Sequence, residues 1–251
     1  MNDLAINLLA SLIAGITVWL VQRLLRYRRA ARRRAFFGLV PGERALLVVG
    51  KHRAAPAPMS INKTDVAAVL ELAMLAKDAG AEPEIALHSE VVEGVGDQVE
   101  FCVGGPLSNS RTAAHLRWLL PGVSQSTYRE DPEGLSVRVG DRVFSRERGG
   151  SEYVLVARIV VPGRRRPLFL VCGQTAITNY AAAKYLVEQQ DSLHAQYGAR
   201  TSFCLVLRIV NRDAYGSDVV ELAADVTEAA AQRTITKPEA GAAIEGDPTG
   251  K

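Results

Sequence analysis

Two stretches of the chain share one pattern. Residues 101–116 read FCVGGPLSNSRTAAHL and residues 170–186 read LVCGQTAITNYAAAKYL. Each passes from a strand-like apolar segment through a Gly-bearing turn to an Asn and then an Ala-rich helical segment. Gly104 and Gly105 let backbone approach a ligand with no Cβ in the way. Ser108, Asn109 and Ser110 suit the start of a helix, whose free N–H groups attract a phosphate or carboxylate. Gln174, Thr175, Thr178 and Asn179 offer the matching polar set on the second turn. Helix caps and tight turns alone would also use these residue types, but two such turns at equivalent places favour a shared pocket.

A third wall follows the first apolar run. Lys51, His52 and Arg53 leave that run, and Ser60, Asn62, Lys63 and Thr64 lead into the next helical segment. The pairs Gly50-Lys51 and Lys63-Thr64 suggest a phosphate loop, but the G-x-x-x-x-G-K-[ST] spacing is absent. Thr64 then reads as an ordinary N-cap, with Arg53 and Lys63 available to an anion.

No catalytic constellation emerges from spacing. His52, His88, His115 and His194 are scattered and stand in no metal-ligand spacing with the cysteines. Elbow, zincin and dinucleotide motifs are missing. Cys102, Cys172 and Cys204 each lie inside an apolar run, so buried reduced thiols are expected. Cys172 precedes Gly173-Gln174 and could be a nucleophile, yet no base lies near it in sequence and packing is the better reading. Glu71 and Glu152 are the acids worth following, each expected at a solvated or interfacial place. The 130–133 acidic cluster reads as a loop.

The elements that must carry these residues follow from periodicity. Ala45–Gly50, Glu84–His88 and Glu100–Val103 read as strands, with helices over Asp65–Ala79 and Ser110–Leu120. Leu135–Val139 and Arg142–Arg146 alternate around Gly140-Asp141, the signature of a hairpin. Tyr153–Val161 and Pro167–Cys172 are apolar strands, Thr178–Tyr197 a long helix and Ser202–Val210 a last core strand. Val219–Gln232 fits either an edge strand or a closing helix. The expected fold is three-layer α/β with a mostly parallel sheet and a β-hairpin insertion. In such a sheet the paired turns lie at the C-terminal strand ends, where ligands bind.

The N-terminus has its own logic. An uncharged run of 19 residues, Leu4 to Gln22, precedes seven arginines at 23, 26, 28, 29, 32, 33 and 34. At 1.5 Å per residue it matches a ~30 Å hydrocarbon layer. A signal peptide would carry its charge before the run, and a surface helix would be apolar on one side only. Positive charge after the run places the N-terminus outside and the rest of the chain in the cytoplasm. The expected organisation is an anchor with a basic collar over 1–34, a cytoplasmic α/β domain over 35–233 and a disordered tail over 234–251. The whole chain is +3 and residues 1–34 supply +6, so the remainder carries −3. A mildly acidic domain excludes general nucleic-acid binding as an expectation.

The strings SIN before a helix, VGGPLSN after a strand, EY, and CGQTAITNYAAAKYL resemble a group of uncharacterised prokaryotic α/β proteins. These carry G-G-P-x-x-N after one strand and a Gly-Thr-Ala-Ala helix start after another. The similarity covers roughly residues 44–187. This chain has Asn179 where the group has Thr and Glu152 where it has Asp. The resemblance implies the fold and the pocket, and no reaction.

The reading that results is a single-pass cell-membrane protein whose cytoplasmic module binds a small anionic ligand, a nucleotide or phosphometabolite, as sensor or effector. Ser60, Asn62, Gly104, Gly105, Asn109, Gln174, Thr175, Thr178 and Asn179 are its candidate ligand-binding residues. An enzyme acting on such a ligand, and a scaffold recruiting a protein partner to the bilayer, are the alternatives. The sequence names no metal ligand and leaves any cofactor unknown.

Overall fold

In the computed structural model, one helix of 36 residues, α1 (Asn2–Phe37), opens the chain. The structure describes residues 2–52, 57, 60–126, 135–147 and 150–233. The expectations for Arg53, the 130–133 cluster and the 234–251 tail lie outside these. Helix α1 does not stop at the arginine block, because Arg, Ala and Leu are all good helix formers. It ends only at Gly38, whose φ of +69° reverses the chain. Among the described residues α1 is the one helix long and apolar enough to cross a membrane, and its apolar window is unburied. Its last residues behave differently: Phe36 and Phe37 are buried in the core of the domain.

Beyond α1 the strands are β1 (Arg44–Val49), β2 (Glu82–Leu87), β3 (Val99–Val103), β4 (Val123–Gln125), β5 (Val137–Val139), β6 (Arg142–Phe144), β7 (Glu152–Ile159), β8 (Leu168–Gly173), β9 (Phe203–Ile209) and β10 (Val220–Asp225). The helices are α2 (Lys63–Asp78), α3 (Ser110–Leu119), α4 (Ala176–Glu188), α5 (Gln190–Tyr197), α6 (Arg212–Tyr215) and α7 (Thr227–Ala231). Seven strands form one sheet in the order β10-β9-β7-β8-β3-β1-β2. Strands β2, β1, β3 and β8 pair parallel. Strand β7 pairs antiparallel with both β8 and β9, and β10 antiparallel with β9. The sheet is therefore mixed, where the sequence suggested a mostly parallel one. A short hairpin brings β7 back beside β8, so the crossover from β8 to β9 must step over it.

The central strands are buried on both faces, which is why they read as unbroken apolar runs. Leu47, Val49, Phe101, Val103, Phe169 and Val171 face α2 and α4. Leu46, Val48, Cys102, Leu170 and Cys172 face the opposite layer. That layer holds α3, α7 and a separate three-stranded sheet, β4-β5-β6. The expected hairpin is thus present, turning at Gly140 and Asp141, but it pairs with β4 and not with the main sheet. The expected long helix breaks at Gln189, where φ −92° and ψ 8° redirect the chain. The redirected α5 places Leu193 in the core and the His194 ring 6.1 Å from Phe36.

Where α1 meets the domain, the aromatic rings of Phe36, Phe37, Phe101 and Phe169 pack at centroid distances from 4.8 to 6.3 Å. Arg158, on β7, is fully buried among them. Its guanidinium lies 4.7 Å from the Phe36 ring centroid and 5.0 Å from that of Phe203. It donates to the carbonyls of Phe36, Gly198 and Thr201. Two of these carbonyls belong to the ends of α1 and α5, where helix dipoles are negative. Burial lowers the Arg158 pKa to about 10, still charged at neutral pH.

Candidate functional site

The chain reverses its direction of winding between β1 and β3. Strand β1 leads through α2 to β2 on one side, whereas β3 is its neighbour on the other side and leads to α3 on the opposite face. Such a switch point opens a crevice at the C-terminal strand ends. The crevice here has a volume of about 270 Å³ and is bounded by the segments after β1, β3 and β8. Backbone bonds lock these segments together: Lys51 N–H donates to Ser108 O at 2.9 Å, and Gly104 N–H to Val171 O at 2.9 Å.

Three helices begin at this crevice. Asn62 caps α2, its Oδ1 accepting from Thr64 N–H at 2.9 Å. Asn109 caps α3, its Oδ1 accepting from the N–H groups of Arg111 and Thr112. At α4 the Thr178 hydroxyl donates to Thr175 O and accepts from Thr175 N–H. The two turns singled out in the sequence are therefore both real helix starts at adjacent strand ends.

Of the candidate residues, Asn62, Gly105, Gln174, Thr175 and Asn179 line the crevice. Ser60 adjoins it through its carbonyl, which accepts from His52 N–H at 2.7 Å. Gly104, Asn109 and Thr178 stand behind the wall rather than on it. Asn109 is fully buried, and its Nδ2 donates to Val103 O at 3.0 Å and Val48 O at 3.4 Å. Every polar atom of its side chain is spent on holding α3 to β1 and β3. Asn109→Ala is expected to cost about 2–3 kcal/mol, a lost cap plus two carbonyls left short of a donor. Denaturant unfolding of the variant measures this, and a loss under about 0.5 kcal/mol contradicts the brace role.

Gln174 spans two layers: its Oε1 accepts from Tyr153 N–H at 2.8 Å and its Nε2 donates to Phe144 O at 3.0 Å. Gly173 admits no side chain, because a Cβ there would collide with the Thr178 hydroxyl and lie 2.7 Å from Asn179 Oδ1. Gly105 is more forgiving, since a Cβ would come too close only to the movable end of Gln125, 2.9 Å from Oε1, and would sit in ordinary contact 3.4 Å from Gly173 O.

The structure adds Asp65, which spacing did not single out, to the crevice. Asn179 Nδ2 donates to Asp65 Oδ1 at 2.8 Å, while Asn179 Oδ1 accepts from Gly173 N–H at 2.8 Å. Among the described residues nothing donates to the second Asp65 oxygen. Burial raises the Asp65 pKa, with the Asn179 hydrogen bond and His52 pulling the other way. The sequence placed the cap at Thr64 and gave Asp65 no role, whereas in the structure Asn62 is the cap and Asp65 a first-turn acid. Only the meeting of α2 with α4 shows its second neighbour. Lys51 and His52 of the expected third wall line the crevice, but Lys63, expected to face an anion, does not. Glu71 does not line the crevice.

Of the solvated or interfacial place expected for Glu152, the structure gives a buried one between elements. The Thr175 hydroxyl donates to it at 2.6 Å, and Arg146 and Arg212 pair with it at 2.8 and 3.1 Å. It ties the start of α4 to β7.

A second buried cluster lies beneath α3. Arg111 grips both Glu100 oxygens at 2.8 Å each, and His115 Nε2 lies 2.8 Å from Oε1. The Cys102 thiol donates to the same oxygen at 3.1 Å. Sequence spacing showed no link between a histidine and a cysteine, but the α3 packing brings His115, Cys102 and Glu100 together. Their ligand-type atoms lie within 4.8 Å of one another, as a metal would require. The bidentate arginine already supplies the countercharge, so the group reads as a hydrogen-bonded ion cluster. Burial alone would raise the Glu100 pKa, but Arg111 and His115 bring it down to about 2. Burial pushes the Cys172 thiol up to about 12 and raises Cys102 and Cys204 as well, which suits packing rather than nucleophilic attack. No family model matches the chain, and no curated protein matches it.

Proposed function

We propose that the chain is a membrane-tethered cytoplasmic α/β module whose crevice binds a small anionic ligand, acting as a sensor or effector at the inner membrane face. One observation carries this reading: the starts of three helices and the cation Lys51 converge on one switch-point crevice. Helix N-termini, whose first-turn N–H groups are only partly taken by their caps, and an ammonium together favour a phosphate or carboxylate. A volume near 270 Å³ lies just below the range typical of drug-sized ligands, which favours a phosphometabolite or one end of a mononucleotide over a dinucleotide. The membrane side of the proposal is supported by α1, and an N-terminus outside by the arginine block that follows its apolar run.

The test is thermal unfolding of the full chain in lipid nanodiscs against a panel of nucleotides and phosphometabolites. A ligand at 100 times its Kd adds about 2.7 kcal/mol, several degrees for a domain of this size. Lys51→Gln and Gly105→Ala are expected to remove the shift while leaving the unliganded midpoint within about 2 °C. A flat panel over a well-folded protein counts against the reading.

Asp65 favours a second reading, an enzyme on the same crevice. A half-buried carboxyl with a raised pKa, oriented by Asn179 at one oxygen and with no donor to the other among the described residues, is suited to general acid–base work. Under that reading Asp65→Asn abolishes turnover of a panel hit and preserves its thermal shift. Under the sensor reading there is no turnover to lose.

A further inference from the structure

The opposite end of the sheet is basic. The turn between β7 and β8 brings Arg164, Arg165 and Arg166 to the foot of α1, beside Arg34 and Arg200. Together with Gly38–Pro41 they bound a second, larger cleft of about 920 Å³. Arg164 pairs with Asp97 and Arg166 with Glu43. Among the described residues Arg34, Arg165 and Arg200 have no acidic partner. This concentration runs against the composition of the chain after residue 34, which is net −3. The positive charge is gathered where the arginine-rich end of α1 enters.

We infer that this cleft docks on the phosphate groups of anionic phospholipids in the leaflet beside the arginine block, so that the domain sits floor-down with its ligand crevice facing away. The inference rests on the membrane reading of α1. Distance supports it. Arg34 lies twelve residues beyond Gln22, about 18 Å along the helix axis. Side chains on a helix lean towards its N-terminus, here towards the bilayer. Arg34 does so, its guanidinium lying 5.8 Å from the Tyr27 ring centroid. A reach of about 6 Å, a headgroup layer of roughly 6 Å and a Debye length near 8 Å together close the gap. The arginines without an acidic partner therefore stand within a Debye length of the headgroup phosphates, where salt weakens their attraction without abolishing it, and a lipid source explains why the cleft adjoins the stem.

The test is hydrogen exchange of the full chain in nanodiscs of phosphatidylcholine alone or with about one-third phosphatidylglycerol, with alkaline extraction from matching vesicles. Exchange in residues 38–41 and 162–166 is expected to slow about ten-fold in the anionic discs, an effect lost in high salt and in R165Q/R200Q. Both replaced side chains are exposed, so the variant keeps its fold. Equal exchange in the two discs, an undiminished effect in R165Q/R200Q, or the same protection from inorganic phosphate in neutral discs overturns the docking while extraction still shows insertion. Release of the chain by alkali overturns the membrane reading itself, and this inference with it.

Discussion

Arg158→Met should destabilise the protein by about 3–5 kcal/mol and lower its melting temperature by roughly 10 °C. Methionine fills much of the volume, so the loss is not chiefly one of packing. It comes from three carbonyls, of Phe36, Gly198 and Thr201, that lose a fully buried guanidinium donor, the Phe36 carbonyl being the most deeply enclosed. Relief from burying a cation offsets part of that cost, which keeps the estimate below the sum of three orphaned acceptors. Arg158→Lys keeps the charge but not the planar fork, and should recover only a small part. Hydrogen exchange near Phe36 and Gly38 should rise along with global unfolding, because Arg158 joins the end of α1 to the end of α5. A melting temperature within about 2 °C of the parent would show that these helix ends are satisfied without it.

The second large effect is at Glu100. Its carboxyl ionises at about 2 in the folded protein against an ordinary 4.5. A depressed pKa contributes stability that is complete above the unfolded value and disappears as pH falls through the folded one. Between about pH 5 and pH 2 the protein should therefore lose roughly 3 kcal/mol from this group alone. Glu100→Gln removes that contribution at neutral pH and leaves the Arg111 guanidinium without its partner, a cost of about 3–5 kcal/mol. The variant's stability should then vary less with acid than the parent's. Urea unfolding at a series of pH values measures both, and parallel acid limbs for the two proteins would exclude Glu100 as the sensitive group.

The parts of the fold that sequence made plain are those where side-chain period and turn chemistry agree. Strands β1, β3 and β8 are apolar on both faces, and each ends in glycine or leads directly into it, so strand ends and helix starts could be read together. Asn109 was recognisable as a helix start for the same reason, whereas α2 and α4 are capped at Asn62 and Thr175, a little before the Thr64 and Thr178 that the sequence suggested. Sequence could not show whether such a residue faces the ligand or the scaffold. Asn109 and Thr178 are the right type in the right place, yet their polar atoms turn inward to backbone. Asp65 was missed because its importance depends on Asn179, which is 114 residues away and meets it only where α2 packs on α4. The antiparallel insertion of β7 was equally hidden, since a strand buried on both faces carries no mark of its direction. Strand β4, three residues long, is too short to show any period.

The junction at Phe36 and Phe37 has a mechanical meaning. A domain on a flexible linker explores every orientation and responds only to local concentration. Here the stem is helical up to the core and keyed into it by two phenylalanines, with Arg158 as the locking pin. Each residue of an α-helix turns its side chain by about 100°, so every face of α1 stands at a fixed phase to the crevice at the far end of the sheet. Rotation or tilting of the stem would be carried through this packed junction into the domain that holds the crevice. The protein is built as a shaft rather than a leash, and torque applied at one end is available as orientation at the other.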